Sequence, residues 1–155
     1  MALHMEFRET VAAPPERVFA ALSDPAQVEK WMTGLVRFER LTDGPLGKGT
    51  KLRQVRKMFG REAAEVFEVT EYDPPRAFGL FCDGRLGSSK KGEYRFRYVL
   101  EPRAGGTEVL FTGDIGGIGR FMEFIGRLFM GFMCKALSKD MREMKAYVEG
   151  GGKRP

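Results

Sequence analysis

The stretch Ile118–Val148, with the sequence IGRFMEFIGRLFMGFMCKALSKDMREMKAYV, decides the fold of this chain. Apolar residues recur in it with the 3.6-residue period of a helix, which would be about 45 Å long at 1.5 Å per residue. We expect its apolar stripe to consist of Ile118, Phe121, Met122, Ile125, Leu128, Phe129, Phe132 and Ala136. Beyond Lys135 the helix becomes charged, and a narrower stripe continues through Leu137, Met141, Met144 and Val148. The sequence therefore predicts one long C-terminal helix with an apolar side.

The sequence before this helix is dominated by the period-two alternation that is typical of β-strands. Residues 3–12 form the first predicted strand. Between Leu35 and Ile115, turn residues divide the pattern into six further strands, with breaks at 43–45, 59–60, 73–75, 84–92 and 103–106. The clearest strand places on one face Tyr94, Phe96, Tyr98 and Leu100, and the last strand turns inward Val109, Phe111 and Ile115. One face of this meander is therefore expected to be buried and the other to face water.

Two short helices are predicted between the first and second strands. The first runs from Glu16 to Leu22, and Asp24 is the expected N-cap of the second, which has Pro25 at its first position and ends near Trp31. Neither helix carries the basic residues that would enter a DNA groove, so we expect no nucleic-acid partner.

Length and composition indicate one α+β domain over residues 1–149, followed by a disordered tail over 150–155. The chain has 155 residues, of which 43% are hydrophobic and 30% charged, an ordinary globular composition. Its net charge is +5, and its basic residues are interspersed with 21 acidic residues. The longest uncharged run of the helix, Leu128–Cys134, is far shorter than the roughly 20 residues of a membrane-spanning helix. We expect a soluble, cytoplasmic protein without a transmembrane segment or a signal peptide.

Residue counts also argue against several chemistries. A single histidine, His4, makes a catalytic Ser-His-Asp triad or a histidine-rich metal site improbable. Cys82 and Cys134 lack CxxC spacing and are interpreted as free buried thiols. The GKGT run at Gly47–Thr50 lacks the glycine loop of a phosphate-binding site. We therefore expect no cofactor and no metal ion.

The predicted layout implies an internal cavity. A seven-stranded meander and one helix longer than the sheet is wide cannot close like a sandwich, so the sheet must curl around the helix. A curled sheet stands off from a straight helix near its middle, where large side chains or a ligand must fill the space. The inward residues include polar ones, namely Gln54, Arg56, Glu65, Tyr94 and Tyr98. Buried polar groups need partners, which a ligand or ordered water can supply.

Three segments resemble the polyketide cyclase/dehydrase and lipid-transport group of the START-like superfamily, also called SRPBCC or Bet v 1-like. The family's opening helix pair resembles PPERVFAALSDPAQVEKWM (Pro14–Met32). Its characteristic strand and following turn resemble VTEYDPPR (Val69–Arg76), and its final hairpin resembles LEPRAGGTEVLFTGD (Leu100–Asp114). The resemblance implies the helix-grip fold, in the order β-α-α-β-β-β-β-β-β-α, with a hydrophobic cavity between the sheet and the last helix. It implies binding or transformation of lipids, polyketides or other apolar molecules, and it supplies no catalytic motif.

Three functions follow as hypotheses. The first is binding of a small hydrophobic ligand, whose contacts would be Gln54, Arg56, Glu65, Tyr94, Phe96, Tyr98, Phe111, Phe121, Met122, Ile125, Phe129 and Phe132. The second is a cyclase, aromatase or dehydratase that uses Glu65 or Tyr98 for proton transfer. The third is an interaction module for a membrane surface or a protein, built on the Phe/Met-rich helix and the basic segment Arg53–Arg61. A homodimer is also possible.

Overall fold

The computed structural model describes residues 3–58 and 60–151, apart from the side chains of Met58 and Phe129. Its strands are β1 (Leu3–Val11), β2 (Leu35–Arg40), β3 (Lys51–Met58), β4 (Arg61–Asp73), β5 (Ala77–Asp83), β6 (Glu93–Arg103) and β7 (Gly106–Gly116). Its α-helices are α1 (Pro15–Ser23), α2 (Pro25–Trp31) and α3 (Gly119–Glu149), and a 3-10 turn covers Gly84–Leu86. Gly150 and Gly151 form a hydrogen-bonded turn after α3. The rest of the predicted disordered tail, 152–155, lies outside the described residues.

The strands form one antiparallel sheet in the order β1-β7-β6-β5-β4-β3-β2. Each strand from β2 to β7 pairs with its sequence neighbours, as expected for a meander, while β1 closes against β7 at the far edge. The register places Tyr98 opposite both Phe78 and Phe111, so these side chains share a face. Similarly, Gln54 lies opposite Glu65. The prediction of an α+β protein with a curved seven-stranded sheet, two short helices and a long terminal helix is confirmed.

The two short helices cover one end of the sheet. The Asp24 carboxylate accepts a hydrogen bond of 3.0 Å from the Ala26 N–H, which confirms the predicted N-cap. The Trp31 indole N–H donates to the Ala21 carbonyl over 2.8 Å and thereby satisfies the buried polar end of that ring. Val18 and Phe19 pack into the same core. These contacts fix the Trp31 ring, which becomes part of the cavity wall described below.

The rotation of α3 differs from the prediction. Phe121, Leu128 and Phe132 are exposed, whereas Met141 and Met144 are buried, so the expectation that the first three face the core is wrong. Phe121 precedes Met141 by twenty residues, about 5.6 turns at 3.6 residues per turn, so the two side chains point to roughly opposite sides. A continuous helix can turn only one of these stripes toward the sheet. The C-terminal stripe is the one that packs, and Met130, Met133 and Leu137 extend it toward the N-terminus.

The N-terminal half of α3 approaches β1 through a glycine. A Cβ atom on Gly126 would lie 2.6 Å from Leu3 Cδ1, a distance that no ordinary carbon contact reaches. Because Gly126 has no side chain, the helix backbone can lie against the Leu3 side chain on β1. This contact explains why a glycine stands here, although it lowers helix propensity by about 1 kcal/mol relative to alanine.

An ion pair ties α3 to the other side of the sheet. The two terminal nitrogens of Arg56 on β3 donate to the two carboxylate oxygens of Asp140 on α3, over 2.7 and 2.9 Å. Asp140 is buried and Arg56 is half-buried, so water screens the pair only weakly. Arg56 also donates to the Thr33 carbonyl over 3.3 Å. Three parts of the chain therefore meet at the Arg56 guanidinium.

We predict that Arg56→Met lowers the free energy of unfolding by about 3 kcal/mol, because it leaves the Asp140 carboxylate buried without its cation. The double variant Arg56→Met/Asp140→Leu should recover most of this loss, since neither charge then remains buried. The matched control is Arg76→Met. Arg76 pairs with Asp73 at the exposed surface, where water screens the pair, so its loss should lower the free energy of unfolding far less than the loss of Arg56. Urea unfolding measures all three values, and equal losses for the two single variants would contradict the prediction.

Candidate functional site

A cavity of about 90 Å³ lies between the concave face of the sheet and the C-terminal half of α3. Its walls come from all three α-helices and from six of the seven strands. Most of the wall is apolar, consisting of Leu22, Val28, Trp31, Met32, Phe38, Phe67, Leu80, Phe96, Phe111, Leu137 and Met141. Four polar side chains complete it, namely Gln54, Arg56, Tyr98 and Asp140. An apolar enclosure with a few convergent polar groups is the usual composition of a small-molecule site.

Tyr98 is the central polar residue of this wall. Its ring packs against Phe111, with centroids 5.0 Å apart, and against Phe78, with centroids 6.3 Å apart. Burial and the nearby Asp140 carboxylate raise the pKa of the Tyr98 phenol above its ordinary value. No hydrogen bond to the hydroxyl is formed by the residues that the structure describes. The phenol therefore stays protonated at neutral pH, and its hydrogen-bonding capacity remains unused by the protein.

Arg56 and Asp140 form a charged corner of the cavity. Hydrogen bonds to Asp140 raise the pKa of Arg56, and the Glu143 carboxylate on the next turn of α3 adds to this effect. Burial raises the pKa of Asp140, although the hydrogen bonds from Arg56 oppose the increase. The Thr33 hydroxyl donates to one oxygen of Glu143. The other oxygen is buried and finds no hydrogen-bond partner in the described part of the chain. One guanidinium thus faces two carboxylates.

Gln54 contributes the fourth polar group of the wall. Its amide nitrogen lies 3.2 Å from the Met32 sulfur, a weak acceptor. The same amide is only half-buried, so most of its hydrogen-bonding capacity is available toward the cavity.

Five of the predicted contact residues line this cavity: Gln54, Arg56, Phe96, Tyr98 and Phe111. The other predicted residues whose side chains are described are not part of this wall. Met122 and Ile125 are half-buried on α3 and Tyr94 is half-buried on β6, all three outside the cavity wall, while Phe121 and Phe132 are exposed. The Phe129 side chain lies outside the described residues. The α3 residues predicted as the apolar wall are thus replaced by Leu137 and Met141, because α3 presents its other side to the sheet.

Glu65 is held in a separate cluster near the loop that follows β5. Its carboxylate accepts hydrogen bonds from the Ser89 N–H and hydroxyl, over 2.8 and 2.5 Å, and lies 3.7 Å from the Cys82 sulfur. Burial and the Glu65 carboxylate raise the pKa of the Cys82 thiol to about 12, so this cysteine is an unreactive thiol. Both cysteines are free, as predicted, with Cys82 buried and Cys134 only partly so. Glu65 therefore acts as a loop anchor and does not line the cavity.

The sequence interpretation missed Asp140, which the cavity shares with Leu137 and Met141. It stands in the charged segment SKDMRE, where a carboxylate is normally solvated. Its spacing was the available signal: Asp140 follows Leu137 by three residues and precedes Met144 by four, so it lies on the buried face of the helix.

Two structural features, a metal-binding cluster and a membrane-spanning helix, are absent from the described residues. No three or more His, Cys, Asp or Glu side chains are grouped there so as to hold a metal ion. Within the same residues, no helix is long and apolar enough to cross a bilayer.

The fold occurs in solved structures of low sequence identity. Ara h 8.0201 is 16% identical, with a TM-score of 0.75 over 97% of this chain and 99% of its own. The protein TTHA0849 from Thermus thermophilus is 19% identical, with a TM-score of 0.78 over 97% and 100%. A protein from Rhodobacter sphaeroides is 24% identical, with a TM-score of 0.74 over 95% and 92%. At these identities the likeness establishes the fold alone.

Sequence comparison gives the family. No curated protein matches the chain. The family model described as polyketide cyclase/dehydrase and lipid transport matches residues 2–149, nearly the whole length. The match covers the sheet, the two short helices and α3, so it includes every element that lines the cavity. The chain therefore belongs to the polyketide cyclase/dehydrase and lipid-transport family of the START-like (SRPBCC) superfamily.

Proposed function

We propose that this protein binds a small, uncharged hydrophobic ligand that carries a hydroxyl or carbonyl group. The observation that carries the proposal is the Tyr98 hydroxyl, which reaches an apolar cavity without a hydrogen-bond partner among the described residues. Tyr98 is half-buried and lines the cavity, so a ligand in the cavity can reach its hydroxyl. A ligand oxygen would accept its hydrogen bond while the rest of the ligand contacted Leu80, Phe96 and Phe111.

The size of the cavity supports a compact ligand. A volume of about 90 Å³ is smaller than the roughly 150 Å³ of an engineered apolar cavity that binds benzene. A single ring is thus close to the size that the site accepts after small adjustments. Met32 and Met141 lie in the wall, and methionine side chains adapt to irregular contents at little cost.

Charge at the polar corner favours a neutral ligand over a carboxylate. Arg56 already donates two hydrogen bonds to Asp140, and the Glu143 carboxylate lies nearby. A ligand carboxylate would therefore meet two negative groups and one neutralised cation, in a place where water screens poorly. A hydroxyl or carbonyl avoids this repulsion and can still use Tyr98 and Gln54.

The same geometry supports binding better than catalysis. A cyclase or dehydratase needs a base as well as an acid, and the predicted base Glu65 hydrogen-bonds to Ser89 outside the cavity wall. The cavity carboxylate, Asp140, is engaged by Arg56. Tyr98 is the remaining candidate acid. Its raised pKa keeps the phenol protonated, which suits a hydrogen bond to a bound carbonyl better than transfer of the proton. We retain polarisation of a carbonyl by Tyr98 as the enzymatic alternative.

Three fluorinated probes test the role of Tyr98 and the preference for a neutral ligand. We expect 4-fluorophenol and fluorobenzene both to bind the wild-type protein, and 4-fluorobenzoate not to bind. Tyr98→Phe should raise the dissociation constant of 4-fluorophenol about fivefold to tenfold, which is the effect of one hydrogen bond. The dissociation constant of fluorobenzene should stay unchanged. Dissociation constants come from ¹⁹F NMR titration. Equal weakening of both probes would indicate a change in shape instead of a lost hydrogen bond.

A second variant tests whether the ligand binds in this cavity. Leu137 lines the cavity from α3 and is half-buried, so Leu137→Trp should fill the space and abolish binding of fluorobenzene. Leu86→Trp is the control, because Leu86 is exposed on the turn after β5. Undiminished binding to the Leu137→Trp variant would place the ligand elsewhere. Native mass spectrometry of protein purified from its source would then identify the natural ligand by its mass.

A further inference from the structure

The outward side of α3 has an unusual composition. Between Gly119 and Arg142, the exposed large apolar residues are Phe121, Phe124, Leu128 and Phe132, which we call the α3 ridge. The exposed charged residues of the same stretch are Arg120, Arg127, Lys135, Lys139 and Arg142, all of them cationic. The acidic residues there and on the next turn are half-buried or buried, namely Glu123, Asp140 and Glu143. Within this stretch of α3, the ridge is therefore apolar and the exposed charged residues are all positive.

The α3 ridge is convex and strongly exposed. The exposed fractions are 73% for Phe121, 63% for Phe124, 70% for Leu128 and 50% for Phe132. These residues follow one another at spacings of three or four, so they form a continuous line along about three turns of the helix. An exposed line of this kind is costly in water and marks an interaction surface.

We propose that the α3 ridge docks on an anionic lipid bilayer, with its aromatic side chains in the interface and its arginines and lysines on the lipid phosphates. Phenylalanine and leucine beside basic residues are the composition of helices that lie in the membrane interface plane. A projecting ridge suits a deformable apolar medium, because insertion requires no complementary groove. Anionic headgroups attract each neighbouring Lys or Arg.

The positive charges beside the α3 ridge argue against a second copy of this chain as its binding partner. Two α3 ridges packed against each other would bring Arg120 and Arg127 of one copy close to the same cations of the other. With no exposed acidic residue described between Gly119 and Arg142, the contact would contain repulsion and no matching attraction. A bilayer containing anionic lipid supplies the complementary charge.

Vesicle flotation tests this proposal. We expect the wild-type protein to float with vesicles of phosphatidylcholine and phosphatidylglycerol at low salt, and to bind weakly to phosphatidylcholine alone. Phe121→Ser/Leu128→Ser should lower the partition coefficient by about tenfold or more. The matched control is Leu41→Ser/Leu86→Ser, which removes two exposed apolar residues from the sheet side.

A charge-reversal pair tests the electrostatic part. Arg120→Glu/Arg127→Glu should reduce partitioning about tenfold at low salt and show less effect at high salt. Lys48→Glu/Lys51→Glu makes the same change in net charge at exposed positions before and at the start of β3 and should bind like the wild type. Thermal melting verifies that each variant is folded.

Three outcomes would overturn the proposal: no flotation of the wild type at low salt, equal losses in the ridge and control variants, or a concentration-dependent dimer that Phe121→Ser/Leu128→Ser dissociates. The ligand probes described above are titrated in the absence of vesicles. Failure of membrane docking is therefore distinguishable from failure of ligand binding.

Discussion

The C-terminal half of α3 is the constraint on which the rest of this structure depends. Met141, Met144, Tyr147 and Val148 are buried, and Asp140 is held by Arg56 on β3. Since an unbroken helix is stiff, fixing its last turns also fixes the rotation of its first turns. This rotation of α3 places Leu137 in the cavity wall and the α3 ridge at the surface.

The cavity follows from the same arrangement. The sheet supplies a wall of stacked and edge-on aromatic rings, including Phe96 and Phe111, whose centroids lie 5.8 Å apart. These rings hold Tyr98 in place while its hydroxyl stays free of protein partners in the described residues. The charged corner is closed by the ion pair between Arg56 and Asp140. Under the proposed function, this pair would favour uncharged polar groups, so that electrostatics would guide ligand choice along with shape.

The two proposals concern opposite sides of one helix. Ligand binding uses the face that carries Leu137 and Met141, and membrane docking uses the face that carries the α3 ridge. In the N-terminal half of α3, Gly126 lies close to Leu3 on β1. A bilayer would cover apolar surface that the sheet leaves uncovered, which would give the exposed phenylalanines of this helix a role outside the core.

The sequence by itself determined the sheet, the two short helices and the inward residues of the strands, because a period of two assigns each strand residue to one face. Gln54, Arg56, Phe96, Tyr98 and Phe111 were assigned to the inner face in this way, and they line the cavity. Tertiary structure alone decided which side of α3 packs. A period of 3.6 gives the angles between side chains, but two apolar stripes about half a turn apart compete for one sheet, and only the contacts across the cavity select the buried one. The helix spacing placed Asp140 on the buried face, but its pairing with Arg56, like the hydrogen bonds from Ser89 to Glu65, joins residues that are distant in sequence, so only the tertiary structure shows them.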